Sequence, residues 1–329
     1  MSFYTYFQEA QAGDVFRNKD FFEITDKLSI INHYKDIFNA PHQHVQIEKA
    51  RQALILAYRN SPFLLPGSPL CQHFNADCFY YAQLALNCPL NCSYCYLQGL
   101  YKTGHCVLFV NYKDFITEVK TLAESKRDKK IYIPLTHETD LLAFKEGRKL
   151  LQSIIPELAA FTEIQFEIRT KSAVPDFFKT VPVSTNIIYA FSLAPDEIIS
   201  SYEYKTPSLD SRLNAVKTCI DAGHTVRVCF DPIFIVPEMD LLYEQFFIKV
   251  FSALPPHRVH DISYGFFRMP QKLFRYCANL HEHLYIYHAP YSREGTDITY
   301  PAELKARVLH DHKIILERFI APEKIFVLD

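Results

Sequence analysis

From residue 80 onward, strand-length apolar runs trade places with longer amphipathic stretches. Six runs read as strands, at 80–86, 131–135, 164–169, 187–193, 225–232 and 261–267. Between them, apolar residues recur at helical spacing near 112–127, 141–158, 174–179, 209–222 and 239–254. Strand followed by helix, repeated, is the pattern of a parallel sheet with crossover helices. Six such units fall short of the eight that close a barrel, so the expected fold class is α/β, a partial (β/α)6 TIM-like barrel open along one side. A last helix over 301–319 starts at Pro301 and ends before Pro322, and 325–328 adds a terminal apolar run.

The first part of the chain reads differently. Apolar residues at Val45, Ile47, Ala50, Ala53, Leu54, Leu56 and Ala57 follow a helical rhythm, and Pro62, Pro66, Gly67 and Pro69 then break it. The expected organisation is an N-terminal, mainly helical extension over 1–74 and a barrel domain over 75–329.

Composition adds bounds rather than a function. The chain has 329 residues, of which 49% are hydrophobic and 15% aromatic, which favours a packed globule over disorder. No apolar run is long enough to span a bilayer, and the first residues lack a basic stretch before an apolar core, so a cytoplasmic location is the expectation. A net charge of −2 supplies no global attraction for a polyanion, so contact with nucleic acid would need a local basic patch. Nine cysteines, an odd number in a chain of this length, favour reduced thiols over a disulfide framework.

Three of those cysteines carry the candidate chemistry. Cys88, Cys92 and Cys95 follow the first barrel strand with C-x3-C-x2-C spacing, and barrel active sites lie on the loops after the strands. Three protein thiolates would leave one metal position open to an outside ligand. A closed zinc site is the other reading, with His105, Cys106 or Cys78 as fourth ligand. Pro89 and Asn91 make the segment a poor helix or strand, which argues against ordinary core cysteines.

The same residues carry a family resemblance. Cys88-x3-Cys92-x2-Cys95, with an aromatic just before the third cysteine, resembles the radical S-adenosylmethionine superfamily, and Tyr94-Cys-Tyr-Leu-Gln98 resembles the spore photoproduct lyase family in particular. Thr206-Pro-Ser-Leu-Asp-Ser-Arg-Leu213, Asp231-Pro-Ile233 and the basic stretch Phe267-Arg-Met-Pro-Gln-Lys-Leu-Phe-Arg275 extend the likeness from about residue 75 to the end. The resemblance implies a 4Fe-4S cluster on Cys88, Cys92 and Cys95, with S-adenosylmethionine on its open iron. It implies Lys171 and Ser192 as contacts to the cofactor's carboxylate, and Tyr94 and Tyr96 as the pair that passes a radical back. Glu138 and Asp140, beside His137, are expected to orient the same cofactor through hydrogen bonds.

The implied reaction is repair of a methylene-bridged thymine pair in DNA, with Arg268, Lys272 and Arg275 on a basic hairpin as DNA contacts. Phe266 and Phe267 precede them and Phe274 lies between Lys272 and Arg275, aromatics suited to the gap that flipped bases leave. A reducing partner such as a flavodoxin or ferredoxin, no membrane and a monomeric state complete the expectation. One departure stands out: the family's hydrogen-donor cysteine lies in a segment that here reads Leu135-Thr-His-Glu-Thr-Asp140, with His137 at or next to its position. Either another thiol replaces it, with Cys229 and Cys106 as candidates, or a tyrosine suffices, or the reaction differs. The alternatives are a radical S-adenosylmethionine enzyme acting on RNA, a nucleotide or a peptide, and a zinc-stabilised nucleic-acid-binding module.

Overall fold

A computed structural model describes residues 3–13, 28–68 and 71–328. Its centre is an eight-stranded sheet in the order Ile325–Leu328, Asp261–Phe266, Thr225–Ile233, Ile187–Ser192, Ile164–Thr170, Ile131–Pro134, Cys78–Ala82 and Leu64–Pro66. The first seven run parallel, and Leu64–Pro66 is an antiparallel edge. Parallel strands need crossovers, supplied by Tyr112–Ser125, Lys145–Leu158, Leu209–Asp221, Met239–Ala253 and Ala302–Leu316. Helices cover the outer face, so central strands such as Ile187–Ser192 are buried along their whole length. The sheet curls into a half-barrel, as the alternation of runs predicts.

Two expectations need correction. Among the described residues, the N-terminal part is not mainly helical. The helix Val45–Ala50 is short, and Ala53–Ala57 is a fully buried strand between Thr5–Glu9 and Cys106–Phe109 in a separate five-stranded sheet. A continuous apolar run buried on both faces satisfies helix and strand periodicity alike, which is why the pattern misleads here. That sheet also takes in Ala85–Leu86, so the run read as one strand over 80–86 is divided between two sheets. The basic stretch after Phe267 is likewise not a hairpin. Arg268–Pro270 is a short strand and Gln271–Leu280 a helix, whereas the hairpin is Ser292–Glu294 with Asp297–Thr299, turning at Gly295 with φ +60°. Pro270 ends the strand ladder and stands just before the helix, where its fixed φ is tolerated. Pro69, in the expected connector, lies outside the described residues.

Arg227 locks the barrel interior. Only 1% exposed, its guanidinium is bonded bidentately to Asp261, with Nη2 2.8 Å from Oδ2, and to Glu167 at 2.7 Å, over the ring of Phe74. Three strands thus share one buried ion network, which reaches from Asp261–Phe266 and Thr225–Ile233 across Ile187–Ser192 to Ile164–Thr170. Arg227→Ala removes the shared guanidinium from two buried carboxylates and leaves only Arg169 beside Glu167 and His260 beside Asp261, so a loss of about 3 kcal/mol in folding stability is expected. Denaturant midpoints of the two proteins check it, and equal midpoints would contradict it.

Candidate active site

The cysteine loop is built by contacts from both sheets and from the C-terminal helices. Asn87, at φ +66°, turns the chain, and its side chain donates to Thr103 O and His105 O at 2.8 Å each. Asn91–Cys92 pairs antiparallel with Glu203–Tyr204, fixing the middle of the loop. Lys49, 3% exposed, donates through Nζ to the carbonyls of Leu90, at 2.9 Å, and Cys88. Gln98 donates to Cys92 O at 2.7 Å and is held from behind by His281 at 2.9 Å. The loop is thus fixed by hydrogen bonds to its backbone, and its three thiols face the interior.

All three thiols line one cavity of about 370 Å³ at the ends of the barrel strands. Burial pushes each thiol up from its ordinary value: Asp140 adds to the effect at Cys88 and Glu203 at Cys92, while at Cys95 a hydrogen bond from Leu97 opposes it. Among the described residues, no group of three His, Cys, Asp or Glu side chains stands preformed as a metal centre. None of the proposed zinc ligands joins the thiols in the cavity. His105 accepts from Ala53 N through Nδ1, at 3.1 Å, and Cys106 and Cys78 lie in strands. The donor chemistry therefore fits a group held by three thiolates with an outside ligand on its open side.

The other predicted residues divide. Lys171, Ser192, Asp140, Tyr94 and Tyr96 line the cavity with the thiols. The Lys171 ammonium lies 3.4 Å from Glu203 and 5.7 Å from the centre of the Tyr94 ring. The Asp140 carboxylate accepts from Thr170 Oγ1 and Lys171 N at 2.9 Å and from Ser172 Oγ and Leu142 N at 3.1 Å, a clamp that fixes the loop after Ile164–Thr170. Burial raises its pKa, and those hydrogen bonds work against the rise. Glu138 does not line the cavity, because its carboxylate is occupied by Tyr101 at 2.6 Å and Gln83 at 2.7 Å. Tyr96 donates to the His137 carbonyl at 3.0 Å, and both residues line the cavity.

Arg268 reaches the cavity together with Phe266, Phe267 and Met269. Lys272 and Arg275 are exposed three residues apart on Gln271–Leu280, so they share one helix face. Phe274 packs among Phe267, Tyr287 and Tyr291, with ring centres 5.3–6.3 Å apart, rather than facing solvent.

Comparison with known proteins follows the geometry. The profile of the family described as "Spore photoproduct lyase" matches residues 72–280. The chain belongs to the spore photoproduct lyase family. Spore photoproduct lyase from Bacillus subtilis (strain 168) is 22% identical over 220 residues, covering 67% of this chain and 62% of that protein, so the match spans less than two thirds of that relative. The structure of spore photoproduct lyase complexed with dinucleoside spore photoproduct superposes with a TM-score of 0.82 at 16% identity, covering 100% of this chain and 98% of that one. A mutant of the same enzyme with bound AdoMet and dinucleoside spore photoproduct gives a TM-score of 0.81 at 16% identity, covering 100% and 99%. At these identities the superpositions establish the shared fold.

Three residues around the cavity carried no signal in the motif: Lys49, Glu203 and Cys71. Cys71 is a fourth cavity thiol, preceding the motif by 17 residues. Glu203 is 3% exposed and accepts from Tyr94 Oη and Arg212 Nη2. Burial alone would raise its pKa, but Lys171 and Arg212 outweigh burial and hold it below the usual carboxylate range.

The raised thiols have a measurable sign. Their folded-state pKa values exceed the unfolded value of about 8.5, so the metal-free protein gains stability below that pH and loses it as pH climbs toward the folded values. At pH 8, iodoacetamide should label Cys88, Cys92 and Cys95 at least ~10-fold more slowly in the folded metal-free protein than in the urea-unfolded chain. Equal rates by peptide mass spectrometry would contradict it.

Proposed function

We propose that this chain is a radical S-adenosylmethionine lyase of the spore photoproduct lyase type, cleaving a methylene-bridged thymine lesion in DNA. The observation that carries the reading is one cavity that combines three loop thiols, a half-buried ammonium at Lys171 and two phenols, in a chain of this family. A 4Fe-4S cluster held by Cys88, Cys92 and Cys95, with S-adenosylmethionine on its open iron, supplies when bound a one-electron cleavage that yields a deoxyadenosyl radical.

The chain's own residues bind, orient and shield. The Lys171 ammonium and Ser192 hydroxyl suit a carboxylate, and a charge-assisted bond there gains strength from burial. Glu203 and the Asp140 clamp hold Lys171 from its side chain and its backbone. Leu90, Leu97, Phe266, Phe267 and Met269 make much of the wall apolar, which keeps water from a reactive carbon radical. Tyr94 and Tyr96 are phenols able to give up a hydrogen atom in the return of the radical. Arg268, Lys272 and Arg275 form a local basic patch for phosphates, compensating for a net charge of −2. A lesion base has to leave the stack to reach such a cavity. A flavodoxin or ferredoxin as electron donor, a cytoplasmic setting and a monomeric state complete the proposal.

His137, at or next to the position of the family's donor cysteine, favours a second reading in which the same radical machinery acts on RNA, a nucleotide or a peptide. Anaerobic reconstitution followed by incubation with lesion-bearing DNA separates the two. Restored thymine and lesion-stimulated deoxyadenosine are expected, and the absence of both would sink the repair reading. For DNA contact, the Lys272→Ala, Arg275→Ala double variant should bind duplex more weakly, with the log–log salt slope reduced by about 2. An unchanged slope would remove this helix from the interface.

A further inference from the structure

The proposed repair ends with a hydrogen atom returned to a thymine carbon, and the imidazole of His137 is a poor source of one. Six of the nine cysteines lie outside the motif. Of the two candidates from sequence, Cys229 is 0% exposed within the barrel sheet and Cys106 is 1% exposed within the N-terminal sheet, and neither borders the cavity. Burial pushes both thiols up to about 12. Cys71 alone among the six borders it.

Three further observations define its setting. Cys71 also borders an adjoining cavity of about 240 Å³, and Tyr96, His137, Arg169 and Asp231 border both cavities with it. Cys71 and Tyr96 thus share the walls of the same two cavities, a hydrogen donor and a hydrogen relay bordering one space. In the first cavity, Thr139 is 8% exposed and its buried Oγ1 has no hydrogen-bond partner, as expected of a wall that completes its bonding with a bound molecule. Burial also pushes the Cys71 thiol up, against the pull of Arg268 and Arg169, which keeps hydrogen on sulfur at neutral pH.

We infer that Cys71 is the hydrogen-atom donor of this chain, replacing the cysteine that the segment 135–140 lacks. The inference rests on the repair reading above. In the step, the S–H bond of Cys71 breaks homolytically and a C–H bond forms on the methylene carbon of the thymine fragment, leaving a thiyl radical. A hydrogen atom from the Tyr96 hydroxyl restores the thiol. The phenoxyl takes back the hydrogen atom first removed from the lesion by breaking a C–H bond of the deoxyadenosine methyl group, which re-forms the deoxyadenosyl radical, so no external oxidant or reductant is consumed.

Wild type, Cys71→Ala and Cys71→Ser are reconstituted as full chains and given dinucleoside spore photoproduct in D2O, where S–H exchanges to S–D. Wild-type product should carry deuterium in the restored methyl group. Both variants should still form lesion-stimulated deoxyadenosine, but restore at least tenfold less thymine per lesion cleaved. Their reduced-cluster spectra should change on adding S-adenosylmethionine as the wild type's does. Thymine restored at wild-type yield in either variant overturns the inference while the repair reading stands. Loss of the spectral change in both variants also overturns it, by making Cys71 part of the cluster site. A wild type that leaves the lesion intact overturns the repair reading and this inference together.

Discussion

The site depends on one buried carboxylate. Glu203 is 3% exposed, and a charge placed there is tolerable only because Arg212 and Lys171 bracket it and Tyr94 donates to it. Each partner is thereby fixed: Arg212 also donates to Ser192 O, at 3.1 Å, tying the carboxylate to the end of the fourth barrel strand. The backbone of Glu203 pairs with Cys92, so the same residue sets the middle of the cysteine loop. Electrostatics and loop geometry are set by a single position, and the cavity inherits its rigidity from it.

Around that anchor the protein solves a second problem, that of exposing thiols to a ligand without exposing them to water. The barrel supplies strand ends on one side and the cysteine loop closes the other, while Lys49 from the N-terminal region caps two of the loop's carbonyls. The chain passes from the barrel sheet into the N-terminal sheet at Ala85–Leu86 immediately before the loop. The loop is consequently suspended between two sheets, and the first 74 residues contribute directly to the site.

Much of the barrel was legible because its strands are short apolar runs separated by amphipathic helices, a pattern that local sequence reports faithfully. Ala53–Ala57 was not, since a strand buried on both faces leaves no alternation to distinguish it from a helix. The basic stretch was misread for a related reason: Lys272 and Arg275 carry charge in either conformation, and the placement of Pro270 alone does not decide between turn and helix start. Within the site, the three cysteines were legible from spacing. Lys49, Glu203 and Cys71 were not, because they lie 17 to 108 residues from the nearest motif cysteine and meet the site only through the fold. Glu138 shows the converse, a residue adjacent in sequence to the cavity wall whose carboxylate is spent on Tyr101 and Gln83.

The central claim is that Cys88, Cys92 and Cys95 hold a cluster with one open iron. The electron paramagnetic resonance spectrum of the reduced, anaerobically purified protein, recorded with and without S-adenosylmethionine, tests it most directly. The account predicts a reduced 4Fe-4S signal that shifts when the cofactor is added. A protein that carries zinc and no such signal, or a cluster signal indifferent to the cofactor, would contradict it.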